Sequence, residues 1–250
     1  MHPHRQATRA PLPLLALLLA AAPAESPAPP DCGVPEELVE DDPQLAIVAE
    51  HLRQKHPITI VAIGGAGTAG TAAAKPDEES YPRRLEDALR RHHPDVPITV
   101  LNRGVARQTT QEMVDRFARD VYPAEPTLVI WETGTFDAAR SVDVDIFASA
   151  LSAGLAELRN HKFDIMLINM QYSRNTASVI NFEPYLDAMQ HVADVDEIYL
   201  FRRFEMMRYW SETGVFQLAD VPPERRAALA AQVYNCLGER LADAIEHAAR

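Results

Sequence analysis

The sequence lacks a basic block. Lys and Arg number 24 against 36 Asp and Glu, a formal net charge of −12. A net-acidic chain without clustered cations argues against nucleic acid and against anionic membrane surfaces as partners. It also lacks an apolar run long enough to cross a bilayer as a helix. The run at 12–22 is broken by Pro13, follows a basic start at His2, His4, Arg5 and Arg9, and ends in Ala22-Pro23-Ala24, a small-x-small cleavage pattern. Residues 1–24 therefore read as a removable export signal, and the mature protein is expected to be periplasmic or secreted, with no membrane span. Cleavage there removes two arginines and no acids, deepening the net charge to −14.

Cysteine is scarce as well. The chain has two, Cys32 and Cys236. In an exported protein an even count favours one disulfide; the alternative is a pair of buried thiols acting as small apolar residues. No spacing of Cys, His or acids fits a metal site. His92 and His93, adjacent on a helix, are expected to point apart and stay on the surface. The acidic run Glu37-Leu38-Val39-Glu40-Asp41-Asp42 has no EF-hand spacing and reads as a solvated segment. No metal and no cofactor is expected.

What is present is alternation. A Pro-rich tether at 25–30 and the acidic stretch make up an N-terminal segment, 25–56, ahead of a single domain at 57–250. Within the domain, apolar runs at 58–63, 98–101, 128–131, 165–169 and 198–201 show little period-2 alternation, as strands buried on both faces do. Between them lie helical segments at 81–92 (Ser80 as N-cap), 110–122, 144–159 and 185–193. A last helix starts near Pro222-Pro223, and Leu229, Val233, Cys236, Leu237, Leu241, Ala244 and Ile245 form its apolar face. Five repeats of strand and helix predict an α/β fold: a flavodoxin-like, doubly wound sheet of about five parallel strands with helices on both faces. Its functional crevice should lie outside the carboxyl ends of the strands, at the loops 64–70, 102–108, 132–138 and 171–175.

The first loop contains Gly65-x-Gly67-x-x-Gly70 just after a strand, the outline of a dinucleotide fingerprint. Its context fails. Lys75-Pro76-Asp77 intervenes before the next helix, and the second strand ends in Asn102-Arg103 where a ribose-binding acid is required. A second reading uses all four loops. Gly64-Gly65-Ala66-Gly67-Thr68-Ala69-Gly70 resembles the first block of the SGNH/GDSL hydrolases, Gly-Asp-Ser-x-Thr-x-Gly. Asn102-Arg103-Gly104-Val105 is similar to their second block, and Gly134-Thr135-Phe136-Asp137 to their third, Gly-Thr-Asn-Asp. Gln171-Tyr172 and the late Val233-Tyr234-Asn235-Cys236-Leu237 also resemble bacterial members, so the likeness runs from about Cys32 to the end of the chain.

The resemblance implies ester acyl transfer: a serine activated by a base, with backbone and side-chain donors around the developing oxyanion. The residues that carry this are missing. The nucleophile position is Ala66, and no serine lies between Ser26 and Ser80. The asparagine of the oxyanion hole is Phe136. The histidine falls at Ala228, or in another frame at Pro223, and no histidine lies between His191 and His247. His247 is read as a solvated helix residue. Gly104 would still offer an N–H. Thr68 matches a family residue with a turn-stabilising part, and Asp137 is expected to cap nearby backbone amides. The expectation is a catalytically inactive pseudoenzyme binding an acylated glycan, a cell-envelope fragment or a protein partner in the former cleft, lined by Gly65, Ala66, Thr68, Gly104, Gly134, Asp137 and Gln171. The alternatives are an active esterase or acyltransferase with a displaced catalytic constellation, or a purely structural role.

Overall fold

Each apolar run becomes a strand because a continuous Ile/Val/Leu segment must be covered on both faces, and helices on either side of one sheet supply that cover. The computed structural model describes residues 31–39, 41 and 43–250. The export signal expected at 1–24, the tether at 25–30, and Glu40 and Asp42 of the acidic run lie outside the described residues. The strands are β1 (Ile58–Gly64), β2 (Ile98–Gly104), β3 (Leu128–Glu132), β4 (Asp164–Ile168) and β5 (Tyr199–Phe201). They form one all-parallel sheet in the order β2-β1-β3-β4-β5.

The helices are α1 (Ala46–Gln54), α2 (Ala66–Ala69), α3 (Pro76–Glu79), α4 (Tyr81–His92), α5 (Thr110–Val114), α6 (Phe117–Asp120), α7 (Thr135–Ala139), α8 (Val144–Leu158), α9 (Arg174–Ala177), α10 (Glu183–Asp196), α11 (Arg203–Glu212) and α12 (Pro223–Ala248). Strand order reverses between β1 and its two neighbours, so the switch-point crevice opens at the carboxyl ends of β1 and β3. Register fixes what meets there: Gly64 stands beside Gly104, Ile63 beside Trp131, and Glu132 beside Ile168.

The central strands are fully covered; Ile60, Val61, Ile63 and Leu128 to Trp131 have no exposure. β2 departs from the expectation of two buried faces. It is an edge strand, with Thr99, Asn102 and Arg103 exposed. Side chains of α4 satisfy its open hydrogen-bonding edge: Val100 N donates to Glu86 Oε2 (2.7 Å) and Arg90 Nε donates to the Ile98 carbonyl (2.7 Å). A capped edge offers no template for pairing with another chain.

The opposite edge is capped from the N-terminal segment. Asp41 Oδ2 accepts from Leu200 N (3.0 Å), and Tyr199 OH donates to the Val39 carbonyl. The acidic run is thus not wholly solvated; one of its carboxylates caps β5. Asp164, the first residue of β4, accepts from Ile47 N (2.9 Å) and Val48 N (2.8 Å), closing the open amides at the start of α1.

Other expectations need correction. The helix read at 110–122 is broken into α5, α6 and a 3-10 turn, because Arg116 leaves the helical path and buries its guanidinium against Gln108, Asp120 and the Gly64 carbonyl. Ser80 stands before α4 but makes no side-chain cap; its hydroxyl lies 3.4 Å from Asn102 Nδ2 instead. His92 and His93 do converge: His92 Nδ1 and His93 Nε2 lie 2.8 and 3.0 Å from Glu246 Oε1 on α12. His93 is the C-cap of α4, off the helical path, so its ring turns back toward α12. Among the described residues this pair belongs to no cluster fit to hold a metal ion. His247 is half-buried and has interactions of its own, so it is not simply a solvated residue.

Cys32 and Cys236 form a disulfide, with Cα atoms 5.3 Å apart across 204 residues of sequence. Trp210 Nε1 donates to the Gly33 carbonyl beside it. The bond pins the start of the described chain to the inner face of α12. In the chain-entropy account a loop of this length stabilises by about 5 kcal/mol at most. Non-reducing peptide mapping of oxidised protein should recover the two cysteines in one linked fragment, and a Cys32→Ser/Cys236→Ser variant should melt well below the parent. Two alkylatable thiols in the oxidised protein would refute the pairing.

Candidate functional site

The crevice is built on a buried carboxylate. Glu132 ends β3 with almost no exposure and reaches across to the loop after β1. Its Oε2 accepts from Thr68 N (2.8 Å), Thr68 Oγ1 (2.6 Å) and Gly65 N (3.3 Å). Its Oε1 pairs with Arg203 Nη2 at 2.9 Å, and that guanidinium is equally buried. Arg203, the first residue of α11, also donates from Nε to the Met170 carbonyl (3.3 Å). Thr68 Oγ1 sits 2.9 Å from the hydroxyl of the buried Tyr81. Because Thr68 already donates to Glu132, the phenol is the donor in that contact.

These groups shift one another. Burial alone would raise the Glu132 carboxyl, but the charge of Arg203 and the hydrogen bonds from Thr68 and Arg203 outweigh it, and the group is held below the usual range. Burial and the Glu132 charge push the Tyr81 hydroxyl well up, so it stays protonated as a donor. Tyr234 on α12 is raised by the same two causes.

Two glycines let the strand ends close. A Cβ on Gly64 would lie 2.8 Å from Glu132 Cβ, and one on Gly104 would lie 2.6 Å from Ala69 Cα. The backbone of α2 can therefore rest directly on β2. Asn102 Nδ2 donates to the Thr68 carbonyl (2.8 Å), and Arg116 Nη2 donates to the Gly64 carbonyl (3.2 Å). Gln108 and Asp120 hold the rest of the Arg116 guanidinium.

On this frame Ala66 is the first residue of α2 and exposed. Gly65 precedes it as N-cap. Thr68 points inward and is fully buried, so it shapes the loop and does not line an open cleft. Gly104 N, expected to remain a donor, instead donates to Asn102 Oδ1 (2.9 Å). Phe136 lies half-buried in α7, with the Arg140 guanidinium 5.7 Å above its ring. Asp137 is buried and, besides its own backbone N–H, caps a distant helix: it accepts from Thr110 N (3.1 Å) and Thr110 Oγ1 (3.0 Å) across 27 residues. Burial raises its carboxyl despite those bonds. Gly134 makes the turn into α7 with φ +87°. Gln171 is exposed, and its backbone N–H donates to Thr135 Oγ1 (3.3 Å). Ala228 and Pro223 lie exposed on the first turns of α12.

Glu132, Arg203, Arg116 and Tyr81 went unread in the sequence. The available signal was charge: a Glu closing an otherwise apolar strand must find a partner if it is buried, whereas Arg203, beside Arg202, gave no such signal. Two hollows lie along the first turns of α12. One, of about 130 Å³, is lined by Ala72, Tyr172 and the inward face of α12. The other, broader and more polar, lies between Arg174, the 214–222 loop and the Arg225-Ala228-Gln232 side of α12.

Breaking the ion pair from one side should be costly, since it leaves an uncompensated buried charge. Glu132→Gln should lower stability by about 3–5 kcal/mol at pH 7. Glu132 is held below its unfolded value, so its contribution is present above the ordinary glutamate range and is lost as pH falls through the folded value. Urea titrations from pH 7 to pH 3 should therefore show the wild-type advantage over Glu132→Gln shrinking toward acid. A gap that stays constant with pH would mean that the ionised carboxylate is not the source.

No curated protein matches the chain. Solved structures share the fold. The chain superposes on a protein assigned to the lipolytic G-D-S-L family from Desulfitobacterium hafniense DCB-2 at TM-score 0.58 and 20% identity, covering 74% of this chain and 98% of that one. On a two-domain esterase active on acetylated mannans, co-crystallised with mannopentaose, the values are 0.63 and 17%, covering 82% of this chain and 55% of that one. On a catalytic mutant of Axe2, an acetylxylan esterase from Geobacillus stearothermophilus, they are 0.60 and 18%, covering 77% and 94%. The five-stranded parallel sheet is thus that of the SGNH/GDSL-like hydrolases, and with a family model matching residues 31–250 the chain belongs to the non-GDSL lipase-like family.

Proposed function

We propose that the protein is an extracytoplasmic, catalytically inactive member of this hydrolase group that binds an acylated glycan in the former active-site crevice. The observation that carries the reading is the exposed methyl group of Ala66, at the place where the resembling hydrolases present their nucleophile. The mutant Axe2 is described as a catalytic mutant in which a serine is replaced by alanine, and the same side chain stands here by nature. A methyl group cannot attack an ester carbonyl.

The rest of the machinery supports the same reading. Phe136 offers no donor, and the Gly104 N–H is held by Asn102. Loss of one oxyanion donor alone costs a factor of about 100–1000 in rate. Imidazoles with defined partners sit elsewhere: His92 and His93 on Glu246, His51 on the Pro57 carbonyl, His161 stacked on Tyr122. Thr71 Oγ1 donates to the Ala66 carbonyl (3.4 Å) and has no base among its contacts. The disulfide supports an oxidising compartment. Among the described residues no helix is long and apolar enough to cross a membrane. The glycan assignment draws on the sugar-directed esterases that share the fold.

The competing reading is an esterase with a displaced constellation. Purified protein should not turn over nitrophenyl acetate or butyrate above an unrelated control, and it should resist a fluorophosphonate probe. Ala66→Ser should stay equally inert, because a serine without a base reacts like a free alcohol and members of a catalytic unit are strongly non-additive. Saturable turnover by wild type, or robust turnover by Ala66→Ser, would show that a base faces residue 66. A rise in melting temperature with acetylated oligosaccharides is the expected positive result, since binding to the native state stabilises it.

A further inference from the structure

The segment that would carry the catalytic base in the resembling hydrolases here forms the first turns of a 26-residue helix, α12. Its residues divide into two stripes. Arg226, Leu229, Ala230, Val233, Tyr234 and Leu237 follow helical spacing and line the smaller, apolar hollow. Arg225, Ala228 and Gln232 lie on the neighbouring stripe and line the polar one, and Leu229, at the border, lines both. A histidine at Ala228 would therefore face the 214–222 loop and Arg174, while the apolar stripe faces the strand-end loops.

The apolar hollow is walled on its other sides by Met207 of α11, by Leu218 and Val221 of the preceding loop, and by Tyr172. Arg226 Nε donates to the Val221 carbonyl (3.0 Å), tying that loop to the helix. The hollow adjoins the Ala66 loop: Ala72 lines it, Tyr234 hydrogen-bonds the Ala72 backbone, and Thr71 N donates to the Ala66 carbonyl (3.2 Å). Gln171 and Ser173 supply polar groups at its margin.

We propose that this hollow is a binding site for a short aliphatic acyl chain of about four to six carbons, carried by the ligand of the adjoining crevice. The size follows from volume: the hollow measures about 130 Å³, and an apolar cavity of about 150 Å³ accepts a molecule of benzene's size. The chemistry follows from the lining, in which Met207, Leu218, Val221, Leu229, Val233 and Leu237 present hydrocarbon. The site is made by the helix that stands in place of a base-bearing loop, so binding and loss of hydrolysis have one structural origin. The inference rests on the acylated-ligand reading above.

Calorimetric titration with N-acetyl-, N-butyryl-, N-hexanoyl- and N-decanoyl-glucosamine tests it, the amide linkage excluding hydrolysis. Affinity should rise about fourfold per added CH₂ up to the hexanoyl compound and then level off. Ala230→Phe, which fills the hollow from α12, should abolish that gradient. Leu229→Gln serves as a second variant, and circular dichroism with melting curves checks that each is folded. Equal affinity along the series, or a gradient surviving in both variants, would overturn the acyl site while leaving glycan binding in place. Binding of sodium hexanoate that is lost in Ala230→Phe, with no acylated sugar bound, would support the acyl site and refute the glycan reading. Failure of both hexanoate and the sugars to bind would overturn both.

Discussion

The crevice depends on one buried ion pair. Glu132 and Arg203 lie 2.9 Å apart in the interior, and each also anchors backbone at the strand ends. Glu132 collects the N–H groups of Gly65 and Thr68 at the exit of β1, and Arg203 takes the Met170 carbonyl beyond β4. Three strand ends and the start of α11 are thereby fixed around a pair of charges whose desolvation is offset only because so many of their hydrogen-bonding positions are filled. Tyr81 extends the network to α4, and burial keeps its phenol protonated in the donor form that the arrangement needs.

This arrangement explains how a hydrolase-like loop can keep its shape whatever side chain stands at residue 66. The loop is held from beneath by Glu132, from the side by Asn102 and Arg116, and from above by nothing: Ala66 is exposed. A side chain at that position contributes little to folding, so its identity is decoupled from the frame. Gly104 shows the same separation. Its lack of a Cβ lets α2 rest on β2, a packing requirement, while its N–H donates to Asn102 Oδ1. The backbone similarity to an esterase and the identity of the side chain at residue 66 therefore rest on different atoms.

What was legible in the sequence followed from periodicity and from cysteine usage. The runs around Ile60, Ile130 and Leu167 read as strands because continuous apolar segments need cover on both faces, and the Cys32–Cys236 bond followed from an even cysteine count in a chain expected to be exported. What was missed depended on contacts remote in sequence. Glu132 and Arg203 are 71 residues apart, and neither position shows its partner. The exposed face of β2 reflects its place at the sheet edge, which strand order decides and composition does not. Arg116 lies inside the segment 110–122 that reads as one helix. Its buried bond to the Gly64 carbonyl is what breaks that helix into two. His93 was read with helical geometry, yet as the C-cap of α4 it follows another path and joins His92 on Glu246.

The last helix carries the argument furthest. Pro222 and Pro223 pre-set backbone angles suited to a first helical turn, and from there α12 runs unbroken through Cys236 to Ala248. The disulfide and the buried stripe from Val233 to Ile245 fix its rotation about its own axis. Once that rotation is set, the phase of the first turns is no longer free: the half-buried Leu229 and Ala230 lie on the side of the buried Val233, and the exposed Arg225 and Ala228 face the 214–222 loop. In this phase the helix presents Leu229, Ala230, Val233 and Leu237 to a hollow that Ala72 also lines. The expected histidine position, Ala228 or in the other frame Pro223, lies exposed on the first turns of the same helix. Restoring the imidazole alone would place it on the wrong stripe.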